Sequence, residues 1–147
     1  NEKILEEGLK IFWNQIIEDL GVLPGIADIL KKLKKNYKLA IASDEFIEIL
    51  ERKLHKTIQN YRELFELIIT PDATGSMKPS KRYYELILEK TGFLPEEAIM
   101  IGDSWKRDLE PAKSMGIKTI LISEKSEGEP DFWIKDSEDI LRIIETF

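Results

Sequence analysis

The sequence predicts an α/β domain of three layers, a parallel sheet with helices on both faces. Three observations predict it. Apolar runs at residues 39–42, 67–69, 98–101 and 117–122 are too short for helices and read as buried strands. Amphipathic helical patterns separate them, and strands alternating with helices make a parallel sheet with right-handed crossovers. Two of the runs end in polar residues, Ser43-Asp44 and Gly102-Asp103. Open α/β sheets bind ligands there, beyond the carboxyl ends of their strands.

Taken in order, residues 2–20 read as an amphipathic helix. Leu5, Leu9, Phe12, Ile16 and Leu20 recur at three-to-four spacing, Ile4, Trp13 and Ile17 widen the stripe, and Gly21 ends it. Leu23-Pro24-Gly25 opens a second helix with Pro24 near its first position. Its inner face is Ile26, Ile29, Leu30 and Leu33, and Lys31, Lys32, Lys34 and Lys35 lie toward the C-terminal end that favours cations. After the strand at 39–42, a helix runs through Phe46, Ile47, Ile49, Leu50 and Leu54. Residues 57–64 are ambiguous, and 67–69 is the next strand. Residues 71–79 are turn-rich. Ser80 caps a helix through Tyr83, Tyr84, Leu86, Ile87 and Leu88 that closes at Thr91-Gly92. Of the two tyrosines, one is expected in the core and one on the surface. Pro95-Glu96-Glu97 turns into the strand at 98–101. A helix after Asp103 closes at Gly116, and 117–122 continues as a strand. Residues 123–130 form a polar loop, Phe132-Trp133-Ile134 an edge strand, and Ser137 caps a last helix with Ile140, Leu141, Ile143, Ile144 and Phe147 inward.

Composition narrows the function. A chain of 147 residues is one domain by size, and 42% apolar with 34% charged residues describes a folded globular chain. A net charge of -6 argues against nucleic acid or an anionic membrane as the main partner. The absence of cysteine excludes disulfides, thiol catalysis and cysteine-based zinc sites. No apolar run approaches the roughly 20 residues of a membrane span, and no signal-peptide pattern opens the chain, so a cytoplasmic protein is expected. The chain begins with Asn1 rather than Met, which suggests a trimmed or incompletely represented protein.

The chemistry collects at strand ends. Asp103 stands at the end of one strand and Asp108 at the start of the next helix, so both approach a point beyond the sheet edge. Hard oxygen ligands there suit Mg2+, which keeps several waters and takes one or two carboxylates. The Ser43 hydroxyl and the first N–H groups of the following helix suit an anionic oxygen. Lys78, restricted to extended conformations by Pro79, can neutralise a phosphate and the carboxylates. Each residue alone has a plainer reading, as a helix cap or a surface charge. Together a hydroxyl, an ammonium and two carboxylates at successive strand ends match phosphoryl transfer. His55 and the tryptophans read as packing or surface residues, with Trp105 near the site mouth.

These residues resemble, in their order, the haloacid dehalogenase (HAD) superfamily of phosphatases and related hydrolases. Ser43 matches its motif II, Lys78 in Met77-Lys78-Pro79 its motif III, and Gly102-Asp103-Ser104 with Asp108 its acidic motif IV. Residues 111–122 look like the helix and strand that follow motif IV in the phosphoglycolate-phosphatase-like branch, and Leu23-Pro24-Gly25 like the return from a helical cap to the core. The resemblance covers most of residues 22–145. It implies a Rossmann-like HAD core over 22–147, a helical cap remnant over 1–21, and a small phosphorylated substrate. Ser43, Asp44 and Lys78 would bind the phosphoryl group, Ser43 and Lys78 would act in catalysis, and Asp103 and Asp108 would hold Mg2+.

The departure is motif I, an Asp-x-Asp that this sequence lacks. The family's nucleophile is its first Asp, and its strand lies mid-sheet, between those ending at Ser43 and Asp103. That central strand is therefore expected to be absent, with its place left open, filled by self-association or supplied by a complementing N-terminal segment. Two functions follow. One is a Mg2+-dependent phosphatase completed by an upstream nucleophile. The alternative is an inactive HAD-like scaffold serving as a binding or interaction module. A metal-free dehalogenase ranks lower because of the acidic pair, and a receiver domain has its acidic pair and lysine in the wrong order.

Overall fold

All four apolar runs form strands. The structure, a computed structural model, describes residues 10–13, 17–18, 21–22 and 25–147. The strands are β1 (Lys10–Trp13), β2 (Ile17–Glu18), β3 (Gly21–Val22), β4 (Lys38–Ala42), β5 (Phe65–Ile69), β6 (Ala98–Gly102), β7 (Lys118–Ile122) and β8 (Phe132–Ile134). Six of them make one sheet in the order β5-β4-β1-β6-β7-β8, with every neighbouring pair parallel. The helices are α1 (Ile26–Lys34), α2 (Ile47–Thr57), α3 (Tyr61–Leu64), α4 (Pro71–Thr74), α5 (Lys81–Thr91), α6 (Glu110–Ser114) and α7 (Asp139–Ile144).

The period-two alternation of strand side chains builds two cores. β4 sends Leu39 and Ile41 to one face, where they meet Ile29, Leu30 and Leu33 of α1, Leu54 of α2 and Ile140 and Ile143 of α7. Ala40 and Ala42 point the other way, with Ala98 and Met100 of β6, toward Tyr83, Tyr84 and Ile87 of α5. Both faces are covered, so the strands read as continuous apolar runs rather than alternating ones. The small alanines leave depth for the two rings. Tyr83 and Tyr84 are both fully buried, which corrects the expectation of one core and one surface tyrosine. They cross edge to face, with centroids 5.7 Å apart.

The main departure from the sequence reading is at the N-terminus. Lys10–Trp13 is a strand, and it fills the central place of the sheet. Lys10 aligns with Lys38 and Ala98, and Trp13 with Ile41 and Ile101. The central position expected to be vacant is therefore occupied by this chain's own residues. β2 and β3 pair antiparallel in a small separate ribbon, so the helix expected over 2–20 does not form at these positions. Residues 1–9 of that helix and of the expected 1–21 cap remnant, and Pro24, lie outside the described residues. Two effects outweigh the helical stripe. Ile11-Phe12-Trp13 is a β-branched and aromatic run that favours strands, and two open apolar edges on β4 and β6 would be left unpaired without it.

Most remaining elements follow the sequence, but α7 has Glu138 rather than Ser137 at its cap position and Phe147, expected inward, is exposed. Gly92 closes α5 with φ 71°, in the left-handed region that glycine enters at least cost. Ser80 precedes α5 but makes no side-chain cap bond. β8 is an edge strand, as expected, with Trp133 42% exposed on it. No helix among the described residues is long and apolar enough to cross a membrane.

Candidate active site

β4, β6 and the loop leading into α5 deliver the site residues to one end of the sheet. β4 ends at Ala42, and Ser43 follows with its backbone fixed at both groups. Its N–H donates to Ile69 O at 2.9 Å, and its carbonyl accepts from the Tyr83 hydroxyl at 2.9 Å. The Ser43 Oγ accepts from Glu45 N at 3.0 Å, which orients the hydroxyl and leaves its proton as the group it can donate. Ser43 is not the cap of α2, which begins four residues on with Phe46 at its cap position. Asp44 Oδ1 accepts from Lys78 N at 3.0 Å and so ties the loop to the end of β4.

Lys78 is buried. Its Nζ donates to Ala42 O and to Asp108 Oδ1, each at 3.2 Å, and both side chains of the ion pair have zero exposure. Burial pushes the Lys78 ammonium below its ordinary range, and the charges of Asp108 and Asp44 pull it back in part.

β6 ends at Gly102 and the chain turns through Asp103 and Ser104 into a π-helical turn, Trp105–Leu109. Such turns are common at functional sites because they re-aim side chains. Here the turn folds Asp108 back over the strand end. A Cβ on Gly102 would stand 2.8 Å from Asp108 Cβ, so glycine is what admits the carboxylate. Asp108 Oδ2 accepts from Ser104 N at 3.2 Å, and the Asp108 carbonyl accepts from the Tyr84 hydroxyl at 2.9 Å. Burial and the neighbouring Asp108 charge raise the Asp103 carboxyl above its ordinary range. Arg107 donates from Nη2 to Asp103 Oδ1 at 3.1 Å and from Nε to Asp108 Oδ1 at 3.2 Å.

The structure thus brings Ser43, Asp44, Lys78, Asp103 and Asp108 into one cluster of hydrogen bonds and neighbouring strand ends. Sequence reasoning missed Arg107, Tyr83 and Tyr84. The tyrosines are held protonated by burial, which raises both hydroxyls, and they brace the backbone beneath Ser43 and Asp108. The one available signal was their place on the helix directly after Lys78-Pro79-Ser80.

A hard divalent ion fits this donor set. Asp103 is a partly exposed carboxylate with the charge of Asp108 beside it. Asp108 is buried with both oxygens engaged, by Lys78, Arg107 and Ser104. Among the described residues no group of three or more His, Cys, Asp or Glu could cage an ion. Mg2+ keeps several waters and takes one or two carboxylates, a demand that Asp103 and Asp108 suit by number and type.

The model of the haloacid dehalogenase-like hydrolase family matches residues 2–122. The phosphoglycolate phosphatase of Aquifex aeolicus is 31% identical, over 98% of this chain and 70% of its own length. Other curated relatives are spanned over about half their length, between 49% and 59%. The HAD phosphatase of Thermococcus onnurineus has a similar structure, with TM-score 0.73 and 27% identity over 84% of this chain and 58% of that one. YfnB of Bacillus subtilis, solved with magnesium bound, shares the fold at TM-score 0.77 and 22% identity, over 84% of this chain and 55% of its own.

Proposed function

The chain belongs to the haloacid dehalogenase-like hydrolases, and on that premise we propose that it is the core of a Mg2+-dependent phosphatase acting on small phosphate esters. The observation that carries this reading is Lys78 held between the end of β4 and Asp108, beneath the strand ends that present Ser43 and Asp103. Ser43 donates its hydroxyl proton to a phosphoryl oxygen. Lys78 supplies positive charge at the floor of the site, and Asp44 contributes its backbone N–H, since its carboxylate would repel the anion. Asp103 holds Mg2+ with Asp108 behind it. When bound, the ion neutralises charge on phosphoryl oxygens. The Aquifex and Thermococcus phosphatases and the magnesium-bound YfnB support the reaction class and the metal.

The nucleophile in this reading is a carboxylate from a segment upstream of Asn1. A strand carrying it would take the central place that β1 holds here. The test is phosphate release from p-nitrophenyl phosphate and small sugar phosphates by the chain extended upstream. We expect turnover, and Asp103→Asn to lower it by about 100-fold or more, the scale of losing one electrostatic stabiliser of the reacting oxygens. Wild-type turnover in that variant would overturn the assignment.

One observation favours the second reading, a phosphate- and metal-binding scaffold without turnover. β1 fills the central place, and the residues after it, Asn14 and Gln15, carry amides rather than carboxylates. On this reading the extended chain binds inorganic phosphate with Mg2+ in calorimetry and releases none from esters.

A further inference from the structure

We propose that Arg107 is a resident counter-cation on the metal side of Asp103, and that it sets the affinity of the site for divalent cations by competing with them for that carboxylate. The proposal rests on the reading of Asp103 as a ligand of Mg2+.

The two cations of the site are held in different ways. Lys78 has no exposed side-chain surface and donates to the core carbonyl of Ala42 as well as to Asp108. It cannot leave without taking a buried partner from Asp108 and a donor from the Ala42 carbonyl. Arg107 is 37% exposed and bridges the two carboxylates from the solvent side, through Nη2 to Asp103 and Nε to Asp108. Its backbone is fixed at both ends. Arg107 N donates to Ser104 Oγ at 3.3 Å, and Arg107 O accepts from the Tyr84 hydroxyl at 2.8 Å. The fold therefore aims the guanidinium between the carboxylates while leaving its tip able to swing into solvent. A planar fork suits this bridging, and an ammonium does not reproduce it.

Charge gives the exchange its direction. Asp44, Asp103 and Asp108 face Lys78 and Arg107 within this cluster. With Arg107 in place one negative charge is left over, and with Arg107 withdrawn two are left, which a divalent ion matches. The Asp103 oxygen that Arg107 bonds belongs to the more exposed of the two acidic side chains, the one an ion reaches first. Arg107 thus keeps the carboxylate pair compensated until the ion arrives, and a rising cation concentration trades one partner for the other.

The experiment is calorimetric titration of Mg2+ into the wild-type chain, Arg107→Met and Arg107→Lys at low salt, each checked by thermal melting. We expect Arg107→Met to bind Mg2+ about 3- to 10-fold more tightly, the scale of a partly exposed charge pair, and Arg107→Lys to fall between. Unchanged or weaker binding by a folded Arg107→Met would overturn the proposal, because the arginine would then be positioning Asp103 for the ion. Absence of binding in all three would overturn the Mg2+ reading and this proposal with it. Should Arg107→Met fail to fold, NMR of the wild-type arginine side chain decides. Saturating Mg2+ should change the Arg107 guanidinium signals, and unmoved signals overturn the competition.

Discussion

Lys78 and Asp108 form a buried ion pair, and such pairs are defended by the cost of breaking them more than by their own net stabilisation. Lys78→Met removes one partner and leaves Asp108 charged in the core. We expect a loss of about 3–5 kcal/mol in urea denaturation, with the double variant Lys78→Met/Asp108→Leu recovering part of it. A loss under about 1 kcal/mol would mean that water reaches the pair. At this scale the sequence was informative where side-chain chemistry coincided with a strand end. Ser43, Lys78, Asp103 and Asp108 could be picked out because each follows or faces an apolar run. Arg107 could not, since a charged residue in a first helical turn looks like any solvated charge. Tyr83 and Tyr84 were divided between core and surface because helix neighbours stand about 100° apart. The small Ala40, Ala42 and Ala98 beneath them, which only the sheet assembles, let both rings in.

Between elements, the polar ties at the loop before β8 show how local bonds fix a register. Asp131 Oδ2 accepts from Thr119 N at 2.8 Å and from the Thr119 hydroxyl at 3.0 Å, and Asp131 N donates back to Thr119 Oγ1 at 3.1 Å. Burial works to raise the Asp131 carboxyl, and the Thr119 donors with Lys113 overcome it, holding it below the usual carboxylate range. A depressed carboxyl contributes stability that is present above its unfolded value and lost as pH falls through its folded one. Asp131→Ala should therefore cost about 1–3 kcal/mol at pH 7, with the gap to wild type closing below about pH 4. A gap constant from pH 7 to pH 3 would place the effect in packing instead. β1 is the element the sequence concealed. Its apolar residues fit a helical stripe with Leu5, Leu9 and Ile16, and only the pairing with β4 and β6 reveals the extended form. Local periodicity cannot register a vacancy that lies in another part of the chain.

For the molecule as a whole, β1 joins two half-sheets, β5-β4 and β6-β7-β8, that have no other strand between them. Deleting residues 1–13 should expose the inner edges of β4 and β6, and unpaired apolar edges associate. We expect oligomers by light scattering where the intact chain gives a smaller species, and an unchanged mass would mean that the two halves close on one another. Five strands of the parallel frame and its two covered faces were legible from alternation of runs and helices alone, whereas the sixth, β1, and the order of strands across the sheet depend on long-range pairing. That pairing also governs the timing of assembly. Lys10 lies opposite both Lys38 and Ala98, so β1 waits for its second neighbour until the chain through β6 has been made. The β4–β5 half can gather around nearby contacts early, while the other edge of β1 stays unclaimed until β6 emerges. That interval, rather than the finished fold, is when this protein is most exposed to misassembly and to chaperone capture.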